Sequence, residues 1–232
     1  MVMPALGTSV ANAGLPSLAQ AFDASFQQAQ WIVLAYLLTI TALIVSVGRL
    51  GDIVGRRRLL LAGIGLFTVA SLLCGIAPGL WLLIAARALQ GLGAAIMMAL
   101  TVTFVSEIVP QSKTGSAMGL LGTMSAIGTM LGPSLGGALI ATIGWPAIFL
   151  VNVPLGLATL HLALGSLPLD RTGSRPRRDR IDVKGTLLLA LTLAAYALAM
   201  TMGRGRFDHV NAVLMLTAVL GSMLFMIAER KA

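Results

Sequence analysis

Arg87 and Gln90 stand in "LLIAARALQGLGAAIMMAL", and Arg87 is the only basic residue set inside a long apolar run. An arginine at the bilayer centre costs about 2.5–3.5 kcal/mol on insertion scales, so such a residue usually faces a bundle interior or wet cavity and marks a pathway. Gln90 lies one turn on and extends the same polar face. The alternative is that Arg87 snorkels, because Trp81 is close enough to mark an interface. A second charged group lies in "GRLGDIVGRRRLLLAG", Gly48 to Gly63. Arg56, Arg57 and Arg58 suit a cytoplasmic turn. Asp52 is suited to pair with an arginine or to cap a helix N-terminus. Gly48, Gly51 and Gly55 permit a tight turn and close approach. A latch between helices explains this combination; a solvated turn explains the arginines alone. His161 and Cys74 are isolated in apolar runs. No nucleophile–base pair, nucleotide loop or metal-ligand spacing accompanies them, so neither an enzyme nor a bound metal or cofactor is expected.

The elements that must hold these groups are membrane helices. The 232 residues are 57% hydrophobic and 10% charged, with mean hydropathy +0.93. A soluble domain carries about 25% charged residues, so this chain is expected to live in a bilayer. Eight apolar runs are long enough, at about 20 residues each, and lack strand alternation. They cover approximately Val2–Phe22, Trp31–Leu50, Leu59–Ile76, Trp81–Val105, Met118–Ile143, Pro146–Leu167, Gly185–Met202 and Ala212–Ala228. No basic residue precedes Arg49, so the first run lacks the charged flank of a signal peptide and reads as a span. The expected fold is an all-α integral membrane protein: a six-span bundle over residues 1–168, a basic linker over 169–184, and two further spans with a short tail over 185–232.

The net charge of +8 is explained by loop arginines rather than by nucleic acid. Thirteen of the sixteen basic residues fall between spans two and three, four and five, six and seven, or after span eight; the opposite loops hold only Arg204 and Arg206. The positive-inside rule then places both termini in the cytoplasm. The polar connector "LDRTGSRPRRDRIDVKG" faces anionic headgroups on that side.

Span five reads "GTMLGPSLGGAL". Gly128, Gly132 and Gly136 share one helical face, which makes two overlapping small-residue contacts. Pro133 removes a backbone donor and bends the helix, and Gly137 adds freedom beside it. Close packing of one helix pair and a helix built to rock against its neighbours are both compatible with this pattern.

These segments together resemble the major facilitator superfamily, and more narrowly its fourteen-span drug:proton antiporters. The loop motif Gly-x-Leu-Ala-Asp-Arg-x-Gly-Arg-Lys is matched at Gly48, Leu50, Asp52, Gly55, Arg56 and, conservatively, Arg57. The span-four motif is matched at Arg87, Gln90, Gly91, Gly93, Ala94 and Ala95, and the antiporter motif at Gly128, Gly132, Pro133, Gly136 and Gly137. "NAGLP" and "QWIVLAYLL" are similar to the family's first two spans. The resemblance implies proton-coupled efflux of amphipathic small molecules across the cytoplasmic membrane. It makes Asp52 and its arginines an access-controlling latch, gives Arg87 and Gln90 a part in proton coupling, and places Asn12, Gln30, Trp31 and Tyr36 near a substrate cavity or its mouth. Three departures accompany it. Ile53 replaces an arginine beside the motif aspartate. Gly7 stands where many relatives carry a first-span aspartate, which leaves the proton acceptor unassigned. Eight spans are fewer than the family's fourteen, so the chain reads as an N-terminal portion, or as a half that self-associates or needs a missing second bundle; without either it would be a membrane module lacking transport of its own.

Overall fold

Apolar runs that must satisfy every backbone group without water fold as helices, and the computed structural model follows that rule throughout residues 1–167, which it describes together with residues 188, 191–198, 213, 216 and 217. The helices are α1 (Val2–Ala13), α2 (Leu15–Ala21), α3 (Phe26–Val54), α4 (Arg56–Gly75), α5 (Leu80–Ile108), α6 (Gln111–Thr142), α7 (Ala147–Leu150) and α8 (Asn152–Ser166). Among the described residues, five helical stretches are long and apolar enough to cross a membrane: α3, α4, α5, α6, and α7 with α8 taken together. The linker over 169–184 lies outside the described residues. So does most of spans seven and eight, although residues 191–198 are helical.

Local sequence sets the ends. Ser25 opens α3 with a capping box: its hydroxyl accepts from the Gln28 N–H at 3.3 Å, and the Gln28 side chain accepts from the Ser25 N–H at 2.9 Å. Both orphan donors are thereby satisfied. A single residue, Gly55 at φ 102°, joins α3 to α4, a backbone conformation that glycine adopts without steric cost.

Three features of the elements differ from the expectation. The first span is interrupted: Gly14 separates α1 from α2, and Pro16 sits in the first turn of α2, where its missing N–H is tolerated. The sixth is likewise divided at Val151, because Pro154 cannot donate to the Leu150 carbonyl. The charged segment between spans two and three is also less of a loop than its glycines suggest. Gly48 and Gly51 lie inside α3, and only Gly55 turns the chain. In an apolar setting the backbone keeps its helical bonds up to the last residue that can make them. Gly51 instead serves packing, since a Cβ there would lie 2.8 Å from a Leu100 methyl.

The bundle is organised around α5, which is wedged between α3 and α4. Gly91 and Gly93 open its two sides. A Cβ at Gly91 would come within 2.6 Å of the Tyr36 carbonyl on α3, and one at Gly93 within 2.7 Å of the Phe67 nitrogen on α4. Small residues let helix backbones approach in this way, and close approach supplies the van der Waals contact that holds helices together in lipid. On the other side α1 packs along α6, and α4 carries α7 and α8. Two apolar clusters result. One gathers Leu6, Val10, Leu18, Ile32, Cys74, Leu83, Ile148 and Phe149; the other gathers Met3, Tyr36, Ile64, Phe67, Ala94, Met97 and Leu100. Along α5 the first cluster ends at Ala86 and the second begins at Ala94, so Arg87 and Gln90 occupy the layer between them.

Candidate functional site

That layer is polar and closed. Arg87, Gln90, Ser71 and Asn152 are each 0% exposed. Arg87 therefore does not snorkel; its guanidinium is held in the bundle. Its Nε donates to the Ile32 carbonyl at 3.0 Å, and Nη1 donates to Gln90 Oε1. Gln90 Nε2 donates to Ser71 Oγ at 2.6 Å, and Ser71 Oγ donates to the Phe67 carbonyl at 2.7 Å. The chain of donors thus crosses from α5 to α4 and ends on a backbone acceptor. The Tyr36 ring lies under the guanidinium, 4.1 Å from its central carbon to the ring centroid, with the Phe149 ring at 5.8 Å. Desolvated cation–π contacts of this kind contribute on the order of 2 kcal/mol. Tyr36 donates its hydroxyl to the Pro4 carbonyl at 3.0 Å, which ties α1 to the same layer.

The balance is incomplete in one respect. Among the described residues no carboxylate pairs with Arg87, and its Nη2 has no partner. Both amide atoms of Asn152 are equally without a partner. Most buried polar groups in proteins are hydrogen-bonded, so three such atoms without a partner among the described residues, on two wholly buried side chains, set this layer apart. Sequence reasoning singled out Arg87 and Gln90. It missed Ser71 and Asn152, because one serine or asparagine in an apolar span is unremarkable until its neighbours are known. Gly7, the position of the absent first-span acid, is buried with a Phe67 ring carbon 3.5 Å from where its Cβ would be.

The residues expected near a cavity separate. Asn12 is exposed, Gln30 and Trp31 are half-buried, and Tyr36 is fully buried beneath Arg87. Tyr36 thus belongs to the arginine cluster rather than to an open wall.

The second expected group comes together at the far ends of α3, α4 and α5. Arg56, the first residue of α4, donates from Nε and Nη2 to Asp52 Oδ1 at 2.9 and 2.7 Å. Its Nη1 pairs with Glu107 near the end of α5. Arg57 Nη2 donates to the Leu164 carbonyl on α8 at 2.8 Å. A cation at a helix N-terminus opposes the macrodipole, and acids at helix C-termini do the same; pairing them with one another removes both conflicts. Asp52 therefore pairs rather than caps, since α4 has no side-chain cap. Glu107, a further partner of Arg56, was not singled out from the sequence.

The third group lies along the seam of α1 and α6. A Cβ at Gly128 would meet the Val2 carbonyl at 2.7 Å, one at Gly132 would collide with the Ser9 side chain, and one at Gly136 would reach a Val10 methyl at 3.2 Å. All three glycines are buried, and they are the only buried positions of α6. Pro133 and Gly137 face away, and nothing lies within 4 Å of a Cβ at Gly137.

Against known proteins, the family model described as Major Facilitator Superfamily matches residues 1–229. The chain is 37% identical over 201 residues to the riboflavin transporter RibZ of Clostridioides difficile, covering 85% of this chain and 43% of that protein. It is 36% identical over 229 residues to the multidrug resistance protein Stp of Mycobacterium tuberculosis, covering 97% of this chain and 42% of the relative. The chain spans less than half the length of these two relatives.

Proposed function

The chain belongs to the major facilitator superfamily, and from that membership we propose that it supplies one wall of a proton-coupled transporter that exports amphipathic small molecules. It is a multi-pass membrane protein, and on this reading it lies in the cytoplasmic membrane with both termini of the chain inside. The observation that carries the coupling is the buried Arg87, held by Gln90 and Tyr36 without a carboxylate among the described residues. A cation kept dry in this way attracts a negative charge or an acceptor, so it responds to any protonation change that reaches the layer. The orphaned Nη2 is the donor free to respond. Asp52, Arg56 and Glu107 form the cytoplasmic latch whose breaking and re-forming accompanies alternating access. The glycine face and Pro133 bend of α6 allow exchange of substrate against protons. Substrate in transporters built from repeats sits between bundles that rock against each other, so residues 1–168 act with a second bundle, or with a second copy, to enclose it. Residues 169–184 link this bundle to two further spans.

The test is ethidium accumulation in cells expressing the chain, with membrane insertion verified. Export that disappears when the proton gradient is collapsed supports the reading; export indifferent to the gradient contradicts proton coupling. A second reading is a membrane module without transport of its own. It predicts no gradient-dependent export until a second bundle is supplied.

A further inference from the structure

A proline inside a helix withdraws the N–H that would serve the carbonyl four residues back, and its ring pushes that carbonyl aside. For Pro133 the affected carbonyl is that of Thr129. In this structure the Thr129 carbonyl is not abandoned: Ser9 Oγ, on α1, donates to it at 2.7 Å. The habit of the other hydroxyls makes this notable. Thr8, Thr39, Thr41 and Thr101 all turn back to the carbonyl four residues earlier on their own helix, the usual local bond for such residues. Ser9 instead reaches across to another helix, and reaches the one carbonyl that Pro133 deprives. Gly132 makes room for it, since any side chain there would collide with Ser9. Proline, glycine and serine thus form one device spread over two helices.

We propose that Ser9 is a positioning residue: it replaces the hydrogen bond that Pro133 removes and so fixes the bend of α6 against α1. A carbonyl left unserved in lipid is driven to find another donor, and here the Ser9 hydroxyl on α1 supplies it. The bend of α6 is then tied to α1, which Tyr36 also ties to the Arg87 layer through the Pro4 carbonyl. That the bend serves exchange of substrate rests on the transport reading above. The bond and its geometric effect do not, and the experiment below reads geometry alone.

Spin labels at Ser112 and Thr142, exposed near the two ends of α6, report its bend through their separation. The measurement uses the full chain in lipid nanodiscs with Cys74 replaced by alanine. The parent gives a single narrow distance. Ser9→Ala is expected to shift it or add a second population, whereas Thr41→Ala, which loses a bond internal to α3, leaves it unchanged. In a Pro133→Ala background residue 133 again donates to Thr129, so Ser9→Ala has no further effect. A parent-like distribution in Ser9→Ala overturns the proposal. So does an equal broadening by Ser9→Ala after Pro133→Ala, which would make Ser9 a packing residue only. If Pro133→Ala does not insert, the contrast between Ser9→Ala and Thr41→Ala decides the matter alone.

Discussion

At the residue scale, the defining feature is a guanidinium whose bonds depend on its fork. Arg87 serves the Ile32 carbonyl from Nε and Gln90 from Nη1. A lysine ammonium is a point charge on a flexible stem and cannot reproduce this geometry. Arg87→Lys should therefore insert normally yet lose transport, as checked by dye export in cells with matched membrane levels. Gln90 has a different burden. Its replacement by leucine leaves Nη1 of Arg87 and the Ser71 hydroxyl with one partner fewer. Losing a partner of buried polar groups costs about 1–3 kcal/mol, so Gln90→Leu should lower the melting temperature in detergent, and Gln90→Glu, which keeps an acceptor for Nη1, should lose less. The arginine was legible from sequence because a charge in an apolar run is conspicuous. Asn152 and Glu107 were not, since what makes them matter is a neighbour brought close by folding; Glu107 lies 51 residues from Arg56.

At the scale of elements, helix faces were readable and helix limits were not. The spacing of Gly128, Gly132 and Gly136 placed them on one side of α6, and that side meets α1. The pair Gly132→Val and Gly137→Ala separates packing from flexibility. Valine at 132 must displace Ser9, and overpacking of this kind typically costs about 1–3 kcal/mol; alanine at 137 meets open space. Thermal unfolding in detergent should show a clear loss for the first and none for the second. The ends of the helices escaped the sequence because a 20-residue window measures the hydrocarbon core, not the helix. At 29 residues α3 and α5 are about 44 Å long, well beyond a core of about 30 Å. Their surplus carries Asp52 and Glu107 out to where they meet Arg56. The breaks at Gly14 and Val151 come from Pro16 and Pro154, whose effect on a single turn is hidden inside an otherwise apolar run.

At the scale of the whole molecule, the two polar groups differ in burial: the Arg87 layer is closed, whereas the ion-paired group is partly exposed. The ion pairs of Arg56 with Asp52 and Glu107 tie α3, α4 and α5 through side chains that are 28–52% exposed. Exposed ion pairs contribute about 0–1 kcal/mol, so Glu107→Gln should barely change stability. On the transport reading it should change the rate of export, which stopped-flow dye efflux would register. The orientation of the chain is tested by a reporter at Ser174, expected in the cytoplasm; an external signal there would reverse both the latch and the direction of transport. The central claim is that the buried Arg87 couples transport, beyond the contacts it makes in the bundle. The most direct test is ethidium accumulation under a proton gradient for the wild-type chain, Arg87→Ala and Gly137→Ala, each quantified in the membrane and each supplied with whatever second bundle the wild type requires for export. Export is expected for the wild type and Gly137→Ala and none for a normally inserted Arg87→Ala. Gradient-dependent export that survives in Arg87→Ala would contradict it.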